Sequence, residues 1–140
     1  MRLEERVCRE LLTSARVGYL ATTGRDLLPH VVPITLAVTD DRLVTVVDQK
    51  PKSTTDLRRL RNIADNPLVS VLCDHYSEEW DRLWWVRVDG RATLVAGGAG
   101  RDTAIDLLTA KYPQYREDPP RGTAVVIEID SWTGWAFDAM

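Results

Sequence analysis

The sequence predicts a mostly β fold, an antiparallel sheet or small barrel with flanking helices, formed by residues 1–140 as one domain. About six segments rich in β-branched and apolar residues follow one another in hairpin-like succession, whereas a parallel sheet would alternate strictly between strand and helix. Two or three helical patterns lie between these segments, and no internal repeat occurs. The length of 140 residues suits a single domain with its own core.

The elements follow from the period of the apolar residues. Leu3, Val7 and Leu11 recur every four positions, which indicates an amphipathic helix. Turn residues at 23–26 and at Asp40-Asp41 separate the first three strands. In chain order we expect a helix over 3–15, strands over 17–22, 28–38 and 42–48, a helix over 54–64, strands over 68–74 and 83–96, a helix over 99–111, and a strand over 123–130.

The second half of the chain contains one ambiguous point, the pair Asp89-Gly90 inside the strand over 83–96. This pair is typical either of a tight turn or of a β-bulge. The helix over 99–111 is expected to direct Ala104, Ile105, Leu107 and Leu108 inward.

The strand over 28–38 contains two prolines, Pro29 and Pro33. Proline donates no hydrogen bond to a ladder and is therefore tolerated at an edge, at a bulge or at a strand start. The two prolines predict either a plain edge strand or a place where backbone groups are left for a ligand.

Composition and charge exclude several classes of function. No apolar run is long enough for a transmembrane helix, and the N-terminus lacks an apolar signal core, so we expect a cytoplasmic protein without a membrane span. The formal charge of −3 argues against nucleic-acid binding. Cys8 and Cys73 lie far apart in apolar patterns and are expected to be reduced core thiols. His30 and His75 are not spaced as metal ligands, and no metal site is expected.

The strongest local signal is a basic window over residues 50–67 in this acidic chain. Its first part combines cations with hydroxyls, and its second part is a helix whose inward stripe is Leu57, Leu60 and Ile63-Ala64. The cations of the window are Lys50, Lys52, Arg58, Arg59 and Arg61, and the candidates for its N-cap are Ser53, Thr54 and Thr55.

This window has two interpretations. A helix N-terminus beside several cations is a site for phosphate or carboxylate, because free N–H groups and charge-assisted hydrogen bonds converge there. The alternative is a solvated basic face. Arg58 and Arg61 lie three residues apart and share a face of the helix, whereas Arg59 lies on a neighbouring face.

The order of these segments resembles a known family. GYLATTGRDLLPHVVPI, the basic helix that ends at Asn66-Pro67, and the following VSVL strand are similar in order and spacing to the pyridoxamine 5'-phosphate oxidase-like family, within it the branch that uses the deazaflavin coenzyme F420. The resemblance covers about residues 5–130. It implies an FMN-binding-type split β-barrel, six-stranded and antiparallel, that forms a homodimer with cofactor sites at the subunit interface.

The resemblance also implies site residues. In similar proteins the proline-containing strand lines the ring system of the cofactor, and the basic loop and helix hold its phosphate. A strand of the partner subunit faces the site. By this resemblance, one of Trp84 and Trp85 is expected at the interface or against the ring. The expected cofactor-binding residues are Val32, Pro33, Ile34, Lys50, Lys52, Ser53, Thr54, Thr55, Arg59, Arg61 and Trp85.

The expected function is hydride transfer between coenzyme F420 and a small electron-poor organic acceptor. The connection before the basic helix is longer than in the FMN branch and lacks that branch's tyrosine-asparagine approach to the phosphate-binding lysine, which favours the deazaflavin. Two alternatives remain open: an FMN-dependent oxidase or reductase, and a non-enzymatic carrier of flavin, deazaflavin or haem. No catalytic side chain is assigned; Tyr76, His30 and solvent are the candidate proton donors.

Overall fold

The computed structural model describes residues 1–47 and 57–139. The helices are α1 (Glu5–Ser14), α2 (Arg58–Asp65), α3 (Ala99–Lys111) and the short α4 (Gln114–Glu117). The strands are β1 (Gly18–Thr23), β2 (Pro29–Ile34), β3 (Ala37–Thr39), β4 (Arg42–Val46), β5 (Leu68–His75), β6 (Trp84–Val95) and β7 (Ala124–Ala136).

The described strands form one antiparallel sheet in the order β2-β1-β5-β6-β7-β4-β3. The mostly β class with flanking helices is thereby confirmed, but the sheet has seven strands where six were expected. The difference arises at Thr35 and Leu36, which interrupt the expected strand over 28–38 and divide it into β2 and β3. These two halves pair with opposite ends of the sheet, β2 with β1 and β3 with β4.

The sheet must curl because its two edge strands are consecutive along the chain. Ile34 ends β2 and Ala37 begins β3, so their Cα atoms are at most about 11 Å apart. No pairing joins β2 to β3 among the described residues, so the sheet is not closed by hydrogen bonds at this point. The result is a curled sheet with an open seam between its two edges.

The corner at Leu36 is held by the end of α3. Lys111 Nζ donates to the carbonyl oxygens of Leu36 at 2.9 Å and of Ala15 at 2.6 Å. The backbone N–H of Leu36 donates to the hydroxyl of Tyr112 at 3.1 Å, and the Leu36 side chain is fully buried. The corner is thus fixed by residues about 75 positions further along the chain.

Asp89-Gly90 forms a bulge, which decides between the two interpretations of this pair. β6 runs without a break, and its register against β7 shifts between Asp89 and Gly90. A Cβ atom at Gly90 would run into the carbonyl oxygen of Glu128, so a side chain does not fit at this position. β7 continues past its expected end at residue 130 to Ala136, because β6 offers it a partner along that whole length.

The core confirms most of the expected buried positions. Cys8 and Cys73 are free thiols that are each about 1% exposed, as expected. Burial raises the pKa of Cys73 to about 12. In α3, Ala104 and Leu108 are buried, while Ile105 and Leu107 are half-buried. None of the helices in the described ranges is long and apolar enough to cross a membrane.

The helix α2 differs from its prediction in its first residue and in the residues of its buried face. It begins at Arg58, with Leu57 in extended conformation at the N-cap position and no capping side chain, so the expected caps Ser53, Thr54 and Thr55 were wrong. Periodicity marks the buried face of a helix and does not fix its first residue. Ile63 is buried as expected, but Ala64 is exposed and Asn62 is buried in its place.

Candidate functional site

The helix α2 is seated on the hairpin of β1 and β2 by a buried polar contact. The Asn62 Nδ2 donates to the Thr22 hydroxyl at 3.0 Å, and both side chains are almost fully buried. A Cβ atom at Gly24 would lie 2.5 Å from the Asn62 Oδ1, so the turn that follows β1 approaches the helix closely. Because both buried polar groups are paired, this contact stabilises the docking of α2.

Ion pairs extend the same contact toward the hairpin turn. Arg58 Nη2 lies 3.1 Å from Asp26 Oδ2, and Arg25 Nε lies 3.3 Å from Asp65 Oδ1. Residues 58, 62 and 65 follow the helical spacing and therefore share one face of α2. A cavity of about 350 Å³ lies on this face and is lined by Arg25, Asp26, Arg58, Arg61, Asn62 and Asp65.

Arg58 and Arg61 line the same cavity, which confirms that they share a face. Arg59 is directed elsewhere and is half-buried. Burial lowers the pKa of Arg59 from its usual value, and no carboxylate of the described residues opposes this shift. A desolvated guanidinium without a neighbouring anion is costly unless an anion is supplied. Of the predicted basic residues that are described, Arg59 is therefore the one whose environment favours binding of an external anion.

The residues predicted to line a ring system lie on an edge strand. Val32 is packed against the core, Ile34 is buried, and Pro33 is exposed, so only Pro33 presents its side chain to the outside. Proline in a ladder places its nitrogen away from the partner strand. Val31 lies two residues from each proline, and residues two apart in a strand direct their backbone groups to the same side. The N–H and C=O of Val31 are therefore directed to the open edge of β2.

The structure does not describe the other predicted anion-binding residues. The predicted site residues that lie outside the described ranges are Lys50, Lys52, Ser53, Thr54 and Thr55.

Trp85 is located on the outer face of the sheet, away from α2. It pairs with Asp74 on β5 and with Trp135 on β7, whereas the chain leaving α2 meets β6 at Ala92, whose N–H donates to the carbonyl of Pro67; Ala92 is seven residues from Trp85, about 23 Å along the strand. The structure therefore does not bring Trp85 together with Arg59 and Arg61 within one chain. Its neighbour Trp84 packs against the core and stacks on His75, with ring centroids 6.3 Å apart.

A second cavity, of about 520 Å³, lies on this outer face. Several large apolar side chains beside it are exposed, among them Val31 at 60% and Tyr19 at 39%. The Arg87 guanidinium lies 6.0 Å from the ring centroid of Trp85. The cavity is lined by Tyr19, Ala21, Val31, Ser70, Leu72, Asp74, Trp85 and Arg87.

Sequence reasoning did not identify most of this outer face as functional. The available signal was β5, which is apolar on both of its faces: Val69 and Val71 are buried, whereas Leu68 and Leu72 are exposed. A strand that is apolar on both faces needs a cover on each face. Within the described ranges, no group of three or more His, Cys, Asp or Glu residues could hold a metal ion.

Comparisons with known proteins assign the chain to a family. The family model of pyridoxamine 5'-phosphate oxidase matches residues 5–136. No curated protein matches the sequence.

Solved structures share the fold over almost the whole chain. A conserved hypothetical protein from Mycobacterium tuberculosis is 21% identical, with a TM-score of 0.78 and coverage of 96% of this chain and 86% of that one. An FAD-binding protein from Mesorhizobium loti is 26% identical (TM-score 0.71, coverage 96% and 95%), and one from Mycobacterium smegmatis is 20% identical (TM-score 0.64, coverage 96% and 96%). Because the family model covers nearly all of the sequence, the chain belongs to the pyridoxamine 5'-phosphate oxidase family.

Proposed function

We propose that this protein is an F420-dependent oxidoreductase that transfers a hydride between the deazaflavin and a small electron-poor organic acceptor. The observation that carries the proposal is Arg59, a half-buried cation that no anion among the described residues compensates. Membership of an oxidase family supports redox chemistry at this site. The choice of F420 rests on the sequence resemblance to the deazaflavin branch.

The described residues fit a cofactor that carries several negative charges. Arg59 and Arg61 are two residues apart on α2, so their side chains leave the helix on different sides. A single phosphate is a poor match for both, whereas an extended tail with a phosphodiester and several carboxylates supplies a separate anion to each. The open edge of β2 supplies N–H and C=O groups that can orient a planar ring.

In this proposal the cofactor, when bound, supplies the hydride chemistry. The protein binds the anionic tail through α2, orients the ring against β2 and excludes water from the reacting atoms. No side chain has to act as a nucleophile.

We further propose that the protein acts as a homodimer through the outer face of the sheet. The exposed Tyr19, Val31 and Leu72 form an apolar surface there together with the half-buried Trp85, which a second copy would remove from water. Arg87 and Asp74 lie on the same surface and provide opposite charges for a two-fold contact. Because Trp85 lies far from α2 in its own chain, we propose that it reaches a cofactor held by the partner's α2.

Titration with oxidised F420, FMN and FAD tests the cofactor assignment, with quenching of cofactor fluorescence as the readout. We expect F420 to bind more tightly than either flavin. Each of the substitutions Arg59→Ala and Arg61→Ala should cost about 1.5–3 kcal/mol of binding free energy, which is roughly a 10- to 150-fold rise in Kd. The matched control is Arg6→Ala, which removes an exposed arginine of α1 that pairs with Glu10.

The double variant separates two modes of binding. If the two arginines contact separate anions of an extended tail, their losses of binding free energy should add; if both contact one phosphate, they should not. Tight flavin binding without F420 binding would refute the F420 assignment.

A flavin-dependent enzyme is the second candidate function, favoured by the names of the FAD-binding proteins from Mesorhizobium loti and Mycobacterium smegmatis. The same titration distinguishes it. Turnover with a panel of enones, imines and quinones distinguishes either enzyme from a carrier that binds a cofactor without reacting.

A further inference from the structure

The part of the chain that the structure describes contains two buried side-chain nitrogen atoms without a hydrogen-bond partner, His30 Nδ1 and Arg58 Nε. Arg58 still donates through its Nη2 to Asp26. The Nδ1 atom of His30 has no such partner, although the residue itself pairs with Thr22 in the ladder of β1 and β2. We infer that His30 Nδ1 is a ligand-binding group, which pairs with a polar atom of the bound cofactor. The inference rests on the proposed function for the identity of that cofactor.

His30 lies at the place where the predicted anion site and the edge strand meet. It is directly opposite Thr22 in the pairing of β1 with β2, and Thr22 accepts the hydrogen bond of Asn62. Arg59 precedes Asn62 by three residues and is therefore its neighbour along the surface of α2. The unpaired His30 nitrogen and the uncompensated Arg59 cation thus flank the same Asn62–Thr22 contact.

A purely structural role does not account for this arrangement. Buried polar atoms in folded proteins are nearly always paired, because an unpaired one loses its hydrogen bonds to water without replacement. The neighbouring Asn62 amide donates to the Thr22 hydroxyl, and neither group is bonded to His30 Nδ1. An apolar ring at position 30 would serve the fold at least as well, so the nitrogen is explained by something that binds there.

The register of the sheet also separates His30 from the other candidate proton donor, Tyr76. Ala21 is opposite Ser70, which places Thr22 and its neighbour His30 at the level of Val69. Tyr76 lies seven residues further along the direction of β5, about 23 Å away along the sheet. Within one chain a compact site cannot use both residues, and only His30 lies at the end of the sheet that α2 covers.

Three substitutions of His30 test the inference. His30→Phe keeps a ring without nitrogen, His30→Asn places an amide near the position of Nδ1, and His30→Gln places it near Nε2. For each variant we would measure the Kd for F420 and for FMN, together with the urea midpoint of the cofactor-free protein. The control is His75→Phe, because His75 is exposed and stacks on Trp84.

We expect His30→Phe to weaken cofactor binding by about tenfold or more, while the urea midpoint stays unchanged or rises. His30→Asn should retain most of the affinity and His30→Gln should not. His75→Phe should bind the cofactor as the wild type does.

Other outcomes overturn the inference and remain distinct from failure of the proposed function. Wild-type affinity in His30→Phe, or a loss of affinity that only accompanies a lower urea midpoint, would show that His30 is not a ligand-binding residue. If the wild type binds FMN and not F420, the cofactor assignment fails, and the same comparison made with FMN still decides the role of His30. Absence of binding of both cofactors to the wild type would overturn both proposals.

Discussion

Replacement of Tyr112 by phenylalanine is expected to weaken the corner between the two edges of the sheet. The Tyr112 hydroxyl accepts the N–H of Leu36 at 3.1 Å and lies 2.9 Å from the carbonyl oxygen of Arg16. Its ring lies under the guanidinium of Arg16 at 4.6 Å and near the Lys111 ammonium at 5.3 Å. Tyr112→Phe removes the hydroxyl and keeps the ring, so the expected loss comes from the hydrogen bonds alone.

The magnitude follows from the number of bonds and from burial. The Tyr112 hydroxyl accepts one bond here and has one proton to donate, and each bond is worth about 0.5–1.5 kcal/mol of unfolding free energy. The N–H of Leu36 would be left unpaired in a fully buried residue, which moves the sum to the upper part of its range. The carbonyl of Leu36 still receives Lys111 Nζ and adds no further cost. We therefore expect a loss of about 2–3 kcal/mol.

Urea unfolding at a fixed protein concentration measures this loss of unfolding free energy. The matched control is Tyr115→Phe. The Tyr115 hydroxyl makes a single contact, with the Thr35 hydroxyl at 2.8 Å, so the control should lose about 0.5–1.5 kcal/mol. For Tyr112→Phe the melting temperature should fall by roughly 6–10 °C. If Tyr112→Phe loses no more than Tyr115→Phe, the Tyr112 hydroxyl does not hold the corner.

Three further predictions concern the bulge, the buried thiol and the outer face. Gly90→Ala should destabilise the fold by about 1–3 kcal/mol in urea unfolding, because its Cβ would meet the carbonyl of Glu128; a loss below 0.5 kcal/mol would contradict the bulge geometry. Burial raises the pKa of Cys73 from 9.0 to about 12, so the unfolded chain loses this proton first and stability should fall between pH 9 and 12, by up to about 1.4 kcal/mol per pH unit. Burial lowers the pKa of Lys111 to about 8, and this shift makes the unfolding free energy rise with pH between about 8 and 10.5. The effect of Cys73 is therefore measured as the difference between wild type and Cys73→Ala in the slope of unfolding free energy against pH. Equal slopes would refute this prediction. Leu72→Glu, which places a charge on the exposed apolar face, should convert the proposed dimer to monomer in analytical ultracentrifugation, and an unchanged mass would exclude this face as the interface.

The sequence predicted the elements whose signals are local. The helix over 99–111 has the observed bounds, and the strands around the turn at Asp40-Asp41 form the expected hairpin, because apolar period and turn chemistry are both short-range. The break at Thr35 and Leu36 could not be predicted in this way. The segment around it has the continuous β-branched composition of one strand, and the contacts that bend it come from Lys111 and Tyr112, far along the chain.

A site residue could be predicted from the sequence only where its position follows from the spacing of residues within its own helix. The shared face of Arg58 and Arg61 follows from spacing and is observed. The burial of Asn62 was missed, because an amide in a helix reads as a solvated residue unless its partner is known. That partner, Thr22, lies 40 positions away.

On α2 and on β2, neighbouring residues alternate between groups that stabilise the fold and groups that are left for the candidate site. On α2, Asn62 and Arg58 bind the hairpin of β1 and β2, while Arg59, one residue from Arg58, is left without a counter-charge from the described chain. On β2, Ile34 enters the core, while the side of the strand that faces the seam keeps unpaired backbone groups. A helix turns by about 100° per residue and a strand reverses at each residue, so neighbouring positions can support folding and binding without conflict. The candidate site therefore consists of the groups that folding leaves unused, such as the His30 nitrogen. For that reason apolar periodicity predicts the core of this protein, and the candidate site residues are found only among the positions that the core does not use.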